Sequence, residues 1–372
     1  YTEPDLITTT STHNRSYLND SCMFKPLNIN NINLPQSPVK IFTDDYIMLL
    51  IDHFHWNMGH NLWDHMYPSW YSLYYYFNNN SKTNNFTWLC IKNFSDIHVH
   101  THKNIINNFS GTIFFTLESL KKKYDIPIII PTFITGLDKI GISHLNKYNL
   151  TVNIGKNIND LCPIKTFVNR FYLKYNIIRN SLYNDLDKCN NIIYIKNKRP
   201  YNGIEELFLK MNKKYNYKYN FKIVDYKKYD FKEQLEILNR TCICIVGIGN
   251  ARSQTPFLPE GAIEIQTNNF KENAKNNIEF FDCHLGTLAN YIKVYNIESY
   301  TNEEKYKKKC SYLLEQLIDD ALNKIPIYTP IKVVDNLPNE VKKLTSHINY
   351  NKEYDIWRNK SSNIIEELIN KL

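Results

Sequence analysis

Long apolar runs are missing. Nothing in the 372 residues approaches the ~20 that a helix needs to span a bilayer, so no transmembrane segment is expected. Cysteine occurs eight times, at positions 22, 90, 162, 189, 242, 244, 283 and 310, but in no CxxC pair and no metal-finger spacing. That argues against a zinc ribbon and leaves disulfides open. HExxH is absent, and so is any ribbon of basic residues interleaved with aromatics. The net charge of +8 comes from scattered lysines such as Lys121–Lys123, Lys213–Lys214 and Lys307–Lys309, which read as solvated faces and not as a nucleic-acid stripe. Glycine is scarce, with ten residues in all, so a turn that holds two of them stands out. The sequence opens on Tyr1 instead of methionine, from which a removed or omitted leader or anchor is expected; the compartment stays open between secretory lumen and cytoplasm.

Core material is ample. Hydrophobic residues make up 43% and aromatics 14%, and the length exceeds what one core comfortably fills, so two domains are expected. Asparagine-rich runs such as Asn78–Asn80 carry no functional weight, being compositional. Sequons at Asn14, Asn79, Asn85, Asn93, Asn108, Asn149, Asn239 and Asn359 arise readily in such a chain.

The first forty residues are polar and read as an irregular arm. Strands are expected at Val39–Phe42 and Tyr46–Asp52, then a helix from Gly59 to about Phe77 with Leu62, Met66, Trp70 and Leu73 on one side. Further strands follow at Thr87–Ile91, Thr112–Thr116 and Ile126–Ile130, and a long helix at about Asn157–Leu186. The second half alternates strand Ile192–Lys196, helix Ile204–Lys214, strand Phe221–Asp225 and helix Phe231–Arg240. Such alternation predicts an α/β protein with parallel sheets. The C-terminal third reads as charged helix, ending in an amphipathic one around Tyr354–Leu372. The polar stretch Asn180–Asn191 marks the expected boundary: residues 1–185 as one α/β domain and 186–372 as the other, with a cleft between.

The stretch Cys242–Gln266, CICIVGIGNARSQTPFLPEGAIEIQ, reads as a buried strand (Ile243–Val246), a glycine turn (Gly247–Arg252), a short helix start (Ser253–Leu258) and a second strand (Ile263–Gln266). Backbone amides left open at such a turn suit an anion, and Arg252 at its mouth could meet a diphosphate. Cations follow the strand Ile192–Ile195, at Lys196, Lys198 and Arg199. The Asp185–Asp187 triplet resembles a metal-holding Asp-x-Asp but falls in the expected linker.

Titratable groups concentrate in Asp52–His65, DHFHWNMGHNLWDH, which holds four of the eleven histidines. His60 and Asp64 are four apart and share a helix face; an imidazole beside a carboxylate can take a proton from an attacking hydroxyl. The same cluster could instead serve a metal-dependent hydrolase. His98, His100 and His102 alternate as surface-strand residues would.

Taken in order, these motifs resemble family 61 glycosyltransferases, which include protein O-linked N-acetylglucosaminyltransferases and plant xylosyl- and arabinosyltransferases. IIYIKNKRPYNGIEEL is similar to the family's strand, arginine pair and acidic-Leu; Phe231, Glu233 and Gln234 match its F-x-E-Q helix; VGIGNARSQTPFLPEGAIEI resembles its glycine loop, F-L-P and apolar strand. His60, Asp64 and Pro68 fit its H-x-x-x-D-x-x-x-P segment. The family loop H-G-A-G-L is altered here, with Ile248 at the histidine and Asn250–Ala251 in place of Ala-Gly, and Lys196 stands at the first arginine.

The resemblance implies a GT-B architecture: two Rossmann-like domains facing across a cleft, the acceptor held mainly by the N-terminal one and the donor nucleotide by the C-terminal one. It implies an inverting glycosyltransferase that moves a sugar from a UDP-sugar to a hydroxyl of a protein or glycan acceptor, with no metal demanded and a divalent ion compatible. Asp64 is then the expected base with His60 beside it. Lys196, Arg199, Glu233, Gly249, Asn250, Ala251, Arg252 and Ser253 are the expected donor contacts. The altered loop also admits an inactive, glycan-binding relative.

Overall fold

The computed structural model describes residues 40–41, 47–51, 58–67, 69–70, 86–90, 99–113, 115–124, 128–129, 132–135, 163–197, 201, 203–247, 249–270, 292–299 and 304–325. The chain forms two compact units, 1–141 and 142–372, both α/β with parallel sheets. The N-terminal arm, the C-terminal amphipathic stretch and Asp52–His55 lie outside the described residues.

In the first unit β1 (Lys40–Ile41) pairs with β5 (Ile128–Ile129). A four-stranded parallel sheet joins β2 (Ile47–Ile51), β3 (Thr87–Cys90), β4 (Phe115–Thr116) and β6 (Thr132–Thr135) in the order β4-β3-β2-β6. Strand order therefore reverses between β2 and β6. After β2 the chain enters a short helix, α1 (Met58–His60), which continues as a π-helical segment, Asn61–Met66. Leu62, Met66 and Trp70, expected on one side, are buried, as are Trp63 and Tyr67, while Leu73 lies outside the described residues.

Helix α2 (Val99–Ser110) packs on β3. Ile105, Ile106 and Phe109 fall at helical spacing and are buried, with the Phe109 ring 6.1 Å from Trp88 and Phe86 set edge-on to Trp88 at 5.0 Å. This corrects the strand reading of His100 and His102, whose backbone is helical: Val99–His102 is the leading turn of a helix whose buried apolar residues come later, and His98 lies outside the described residues. Helix α3 (Leu117–Lys123) begins at Thr116, which forms a capping box with Ser119.

The second unit begins, among the described residues, with α4 (Pro163–Lys174), which opens on a proline as N1 positions favour. The expected long helix stops at Lys174, because Asn176 is left-handed (φ 56°) and the Ile177 amide reaches back to the Tyr172 carbonyl at 2.9 Å, closing the helix end. The run Asn180–Asn191, read from sequence as the boundary, is sewn into this unit together with Arg179 before it. The Asn180 amide donates to Asn239 Oδ1 (2.8 Å), Asn180 Nδ2 donates to the Asn239 carbonyl (2.9 Å), and Arg179 donates to the Leu258 carbonyl (2.6 Å). Polar composition there reflects internal hydrogen bonds, not solvation. Asp185 is likewise used locally, accepting from Lys188 at 2.7 Å and from the Ser181 amide.

Five parallel strands follow: β7 (Asn191–Ile195), β8 (Asn220–Val224), β9 (Thr241–Gly247), β10 (Ile263–Phe270) and β11 (Lys293–Ser299), ordered β11-β10-β9-β7-β8. Numbered within the unit this is 2-1-3-4-5, a doubly wound order whose reversal lies between β7 and β9. Helix α5 (Ile204–Lys214) joins β7 to β8 and α6 (Phe231–Asn239) joins β8 to β9, within a residue or two of expectation. Helix α7 (Glu304–Lys324) meets α5 through Lys210–Glu315 (2.7 Å) and Tyr215–Asp319 (2.7 Å). All of β9 is buried, as a central parallel strand should be.

Cys242 and Cys244 on β9, and Cys189 just before β7, are free thiols in the core. Burial pushes Cys189 up to about 11 and Cys242 up to about 12, and raises Cys244 well above the usual thiol range. A raised folded-state value means that the neutral thiol stabilises the fold below the unfolded value of about 8.5 and that this contribution is lost as pH climbs above it. Stability is therefore expected to fall between about pH 9 and 12. Site-resolved alkylation at pH 8 is expected to spare these three cysteines in the native protein and modify them in denaturant.

Candidate functional site

The carboxyl ends of β7 and β9 stand side by side, with Ile195 paired to Val246. Beyond β7 come Lys196, exposed, and Asn197, half-buried; beyond β9 comes the glycine turn. The Lys196 amide donates to the Val224 carbonyl at 2.8 Å, which prolongs the β7–β8 ladder by one bond and holds the lysine at the sheet edge. Arg199 lies outside the described residues.

Both glycines of the turn are there for a physical reason. A Cβ on Gly247 would stand 2.5 Å from Asn197 Nδ2, so the Asn197 side chain that follows β7 rests where any larger residue at 247 would make it move. Gly249 has φ +109° and ψ −154°, a conformation that side chains with a Cβ rarely adopt. The chain then runs as a 3₁₀ segment, Asn250–Phe257, where the sequence suggested a helix start. Its tighter bonding uses the Arg252 amide, which donates to the Gly249 carbonyl at 2.9 Å.

Arg252, expected at the mouth of the turn, is fully buried, and its Nε donates to the Glu264 carboxylate. The strand alternation explains the pairing. Glu264 and Gln266 share the β10 face that meets the 3₁₀ segment, whereas Ile263, Ile265 and Thr267 line the other. Glu264 is thus the carboxylate that an arginine in this segment can reach. Ser253 is also buried and Ala251 half-buried. What the sequence took for a diphosphate contact has in the structure an internal partner that holds the turn against β10.

Glu233 is exposed and closes a capping box at the start of α6: its carboxylate accepts from the Asp230 amide at 2.8 Å while its own amide donates to Asp230 Oδ1 at 2.8 Å. Its neighbour Gln234 donates to the Tyr226 and Tyr229 carbonyls (3.0 and 2.9 Å) and accepts from Gln254 Nε2 at 2.6 Å. The E-Q pair therefore starts the helix and ties it to the segment after the turn. Below, Phe257 sits in an aromatic cluster with Phe171 (5.4 Å) and Phe231 (5.7 Å), and its carbonyl accepts from the buried Tyr172 hydroxyl at 2.5 Å. The turn is thus held from beneath by packing and by hydrogen bonds.

No family model matches the chain, and no curated protein matches it. The site accordingly rests on its own chemistry.

In the first unit His60 ends α1 and Asp64 lies in the π-helical segment, both on the element that follows β2 at the reversal of strand order. π-Helical turns are uncommon and recur at functional sites. Their i→i+5 bonding brings position 65 as well as 64 beside position 60 along the helix. Among the described residues no group of three or more His, Cys, Asp or Glu could hold a metal ion, and no helix is long and apolar enough to cross a membrane.

Sequence reasoning missed Glu264, Gln254 and Tyr172. For Glu264 a signal existed: a lone carboxylate in the apolar start of a strand, between Ile263 and Ile265, has to find a cation or be neutralised. Nothing local marks Tyr172, whose partner is eighty-five residues away.

Proposed function

We propose that the protein is an inverting glycosyltransferase, taking its sugar from a UDP-sugar and passing it to a hydroxyl of a protein or glycan acceptor. One observation carries the reading most. β7 and β9, whose carboxyl ends bear Lys196 and the glycine turn, are neighbours where strand order reverses, and that crevice is where open parallel sheets bind nucleotides. The order of the first sheet supports a second crevice after β2, next to the segment that carries His60 and Asp64. A GT-B arrangement, with these two edges facing across a cleft, is part of the proposal.

The chemistry follows from the groups present. Asp64 takes the proton of the acceptor hydroxyl, with His60 orienting it; the oxygen attacks the sugar carbon from the side opposite the diphosphate; the C–O bond to UDP breaks with its electron pair. Lys196, Arg199 and the amides around Gly249–Asn250 stabilise the negative charge that builds on the departing diphosphate. Arg252 and Glu264 hold that turn in shape, and Gln234 and Gln254 brace it from α6.

A panel of UDP-sugars is expected to raise the melting temperature of the wild-type protein, and Lys196→Ala to weaken UDP binding by about tenfold, as loss of a charge-assisted contact does. A panel that leaves the melting temperature unmoved, together with no donor hydrolysis, removes the proposal.

A further inference from the structure

Strand β10 outlasts its partner β9. The shared ladder ends at Thr267 opposite Gly247, and on the other side the β10–β11 register shifts between Gln266 and Asn269, a β-bulge that begins at this residue. Bulges beside a site commonly end pairing and re-aim a side chain. Paired residues of a parallel ladder share a face, so Thr267, the bare Cα of Gly247 and the Asn197 amide that closes on it gather at one corner of the sheet edge. Thr267 is fully buried, yet among the described residues its hydroxyl has no hydrogen-bond partner. An enclosed hydroxyl without a partner is unfavourable, and an apolar side chain of the same shape would avoid the penalty.

We propose that the Thr267 hydroxyl hydrogen-bonds the phosphate-bearing ligand held at the Gly247–Gly249 turn. This rests on the reading of that turn as a diphosphate site and adds a contact from a third strand, on the sheet face opposite Arg252. The turn supplies backbone amides, Lys196 supplies charge, and Thr267 supplies one directed bond that fixes how the phosphates lie across the edge. Threonine suits the task, since its hydroxyl can donate to a phosphate oxygen while its β-branched side chain suits a strand.

The test is calorimetric titration of the full chain with UDP and, separately, with inorganic pyrophosphate, for wild type, Thr267→Val and Thr267→Ser. Valine keeps the shape and removes the hydroxyl; serine keeps the hydroxyl. Thr267→Val is expected to bind both ligands about tenfold more weakly and Thr267→Ser within about twofold of wild type. The ligand-free Thr267→Val protein is expected to melt no lower than wild type, which separates a ligand contact from a structural bond. Unchanged affinity in Thr267→Val, or a ligand-free melt well below wild type, overturns the assignment while leaving the nucleotide-sugar reading intact. Wild type that binds pyrophosphate but not UDP sinks that reading, and the comparison of variants on pyrophosphate still decides Thr267. Wild type that binds neither overturns both.

Discussion

Arg252→Ala is expected to destabilise the protein by about 3–5 kcal/mol, the size seen when one member of a buried ion pair is removed. Both partners are enclosed, so the Glu264 carboxylate left behind would be a charge with its counter-ion gone in a medium that solvates it poorly. Glu264→Ala is expected to cost a similar amount for the mirror reason. Replacing both together, as Arg252→Met with Glu264→Leu, is expected to recover much of the loss, because no uncompensated charge remains. Urea denaturation of the four proteins measures this directly. The same set separates two roles for Arg252. If Arg252→Ala folds as stably as wild type yet loses UDP binding, the guanidinium is a ligand contact and not a brace for the turn.

Asp64→Asn is expected to lower turnover of a confirmed donor by about a hundredfold to ten-thousandfold, the usual contribution of a positioned general base. Asparagine keeps the shape of the side chain and cannot accept the proton. His60→Ala is expected to lower turnover less if it orients the base and as much if it is the base, and the pH profiles of the two variants distinguish the cases. UDP affinity serves as the control, since these residues are proposed to act on the acceptor and their loss should then leave it unchanged. Turnover that survives both substitutions removes the pair from the chemistry.

Much of the second unit was legible because its signals are local. β7, α5, β8 and α6 each bury a face that their own periodicity announces, and the Asp230–Glu233 capping box marks the start of α6 within four residues. The glycine turn was legible for the same reason. The role of Arg252 was not, since its partner lies a strand away and the assignment depends on which face of β10 looks toward the 3₁₀ segment. The polar run after Arg179 misled in the opposite sense. Asparagines read as a linker when their hydrogen-bond partners are sixty residues distant, and Asn180 meets Asn239 only once the sheet has formed. In the first unit HVHTH carried a strand-like alternation, and tertiary packing of Ile105, Ile106 and Phe109 on β3 decided for helix.

The Asn180–Asn239 contact also bears on covalent modification. Asn239 heads the tripeptide Asn-Arg-Thr, an acceptor sequence for N-linked oligosaccharide. In the folded protein its amide nitrogen donates to the Ile178 carbonyl at 2.8 Å and the Thr241 hydroxyl donates to the Ile237 carbonyl at 2.8 Å, both within the core. Asn108, in another of these tripeptides, is exposed on α2. An oligosaccharide on Asn239 would therefore record a chain caught before its five-stranded sheet had closed.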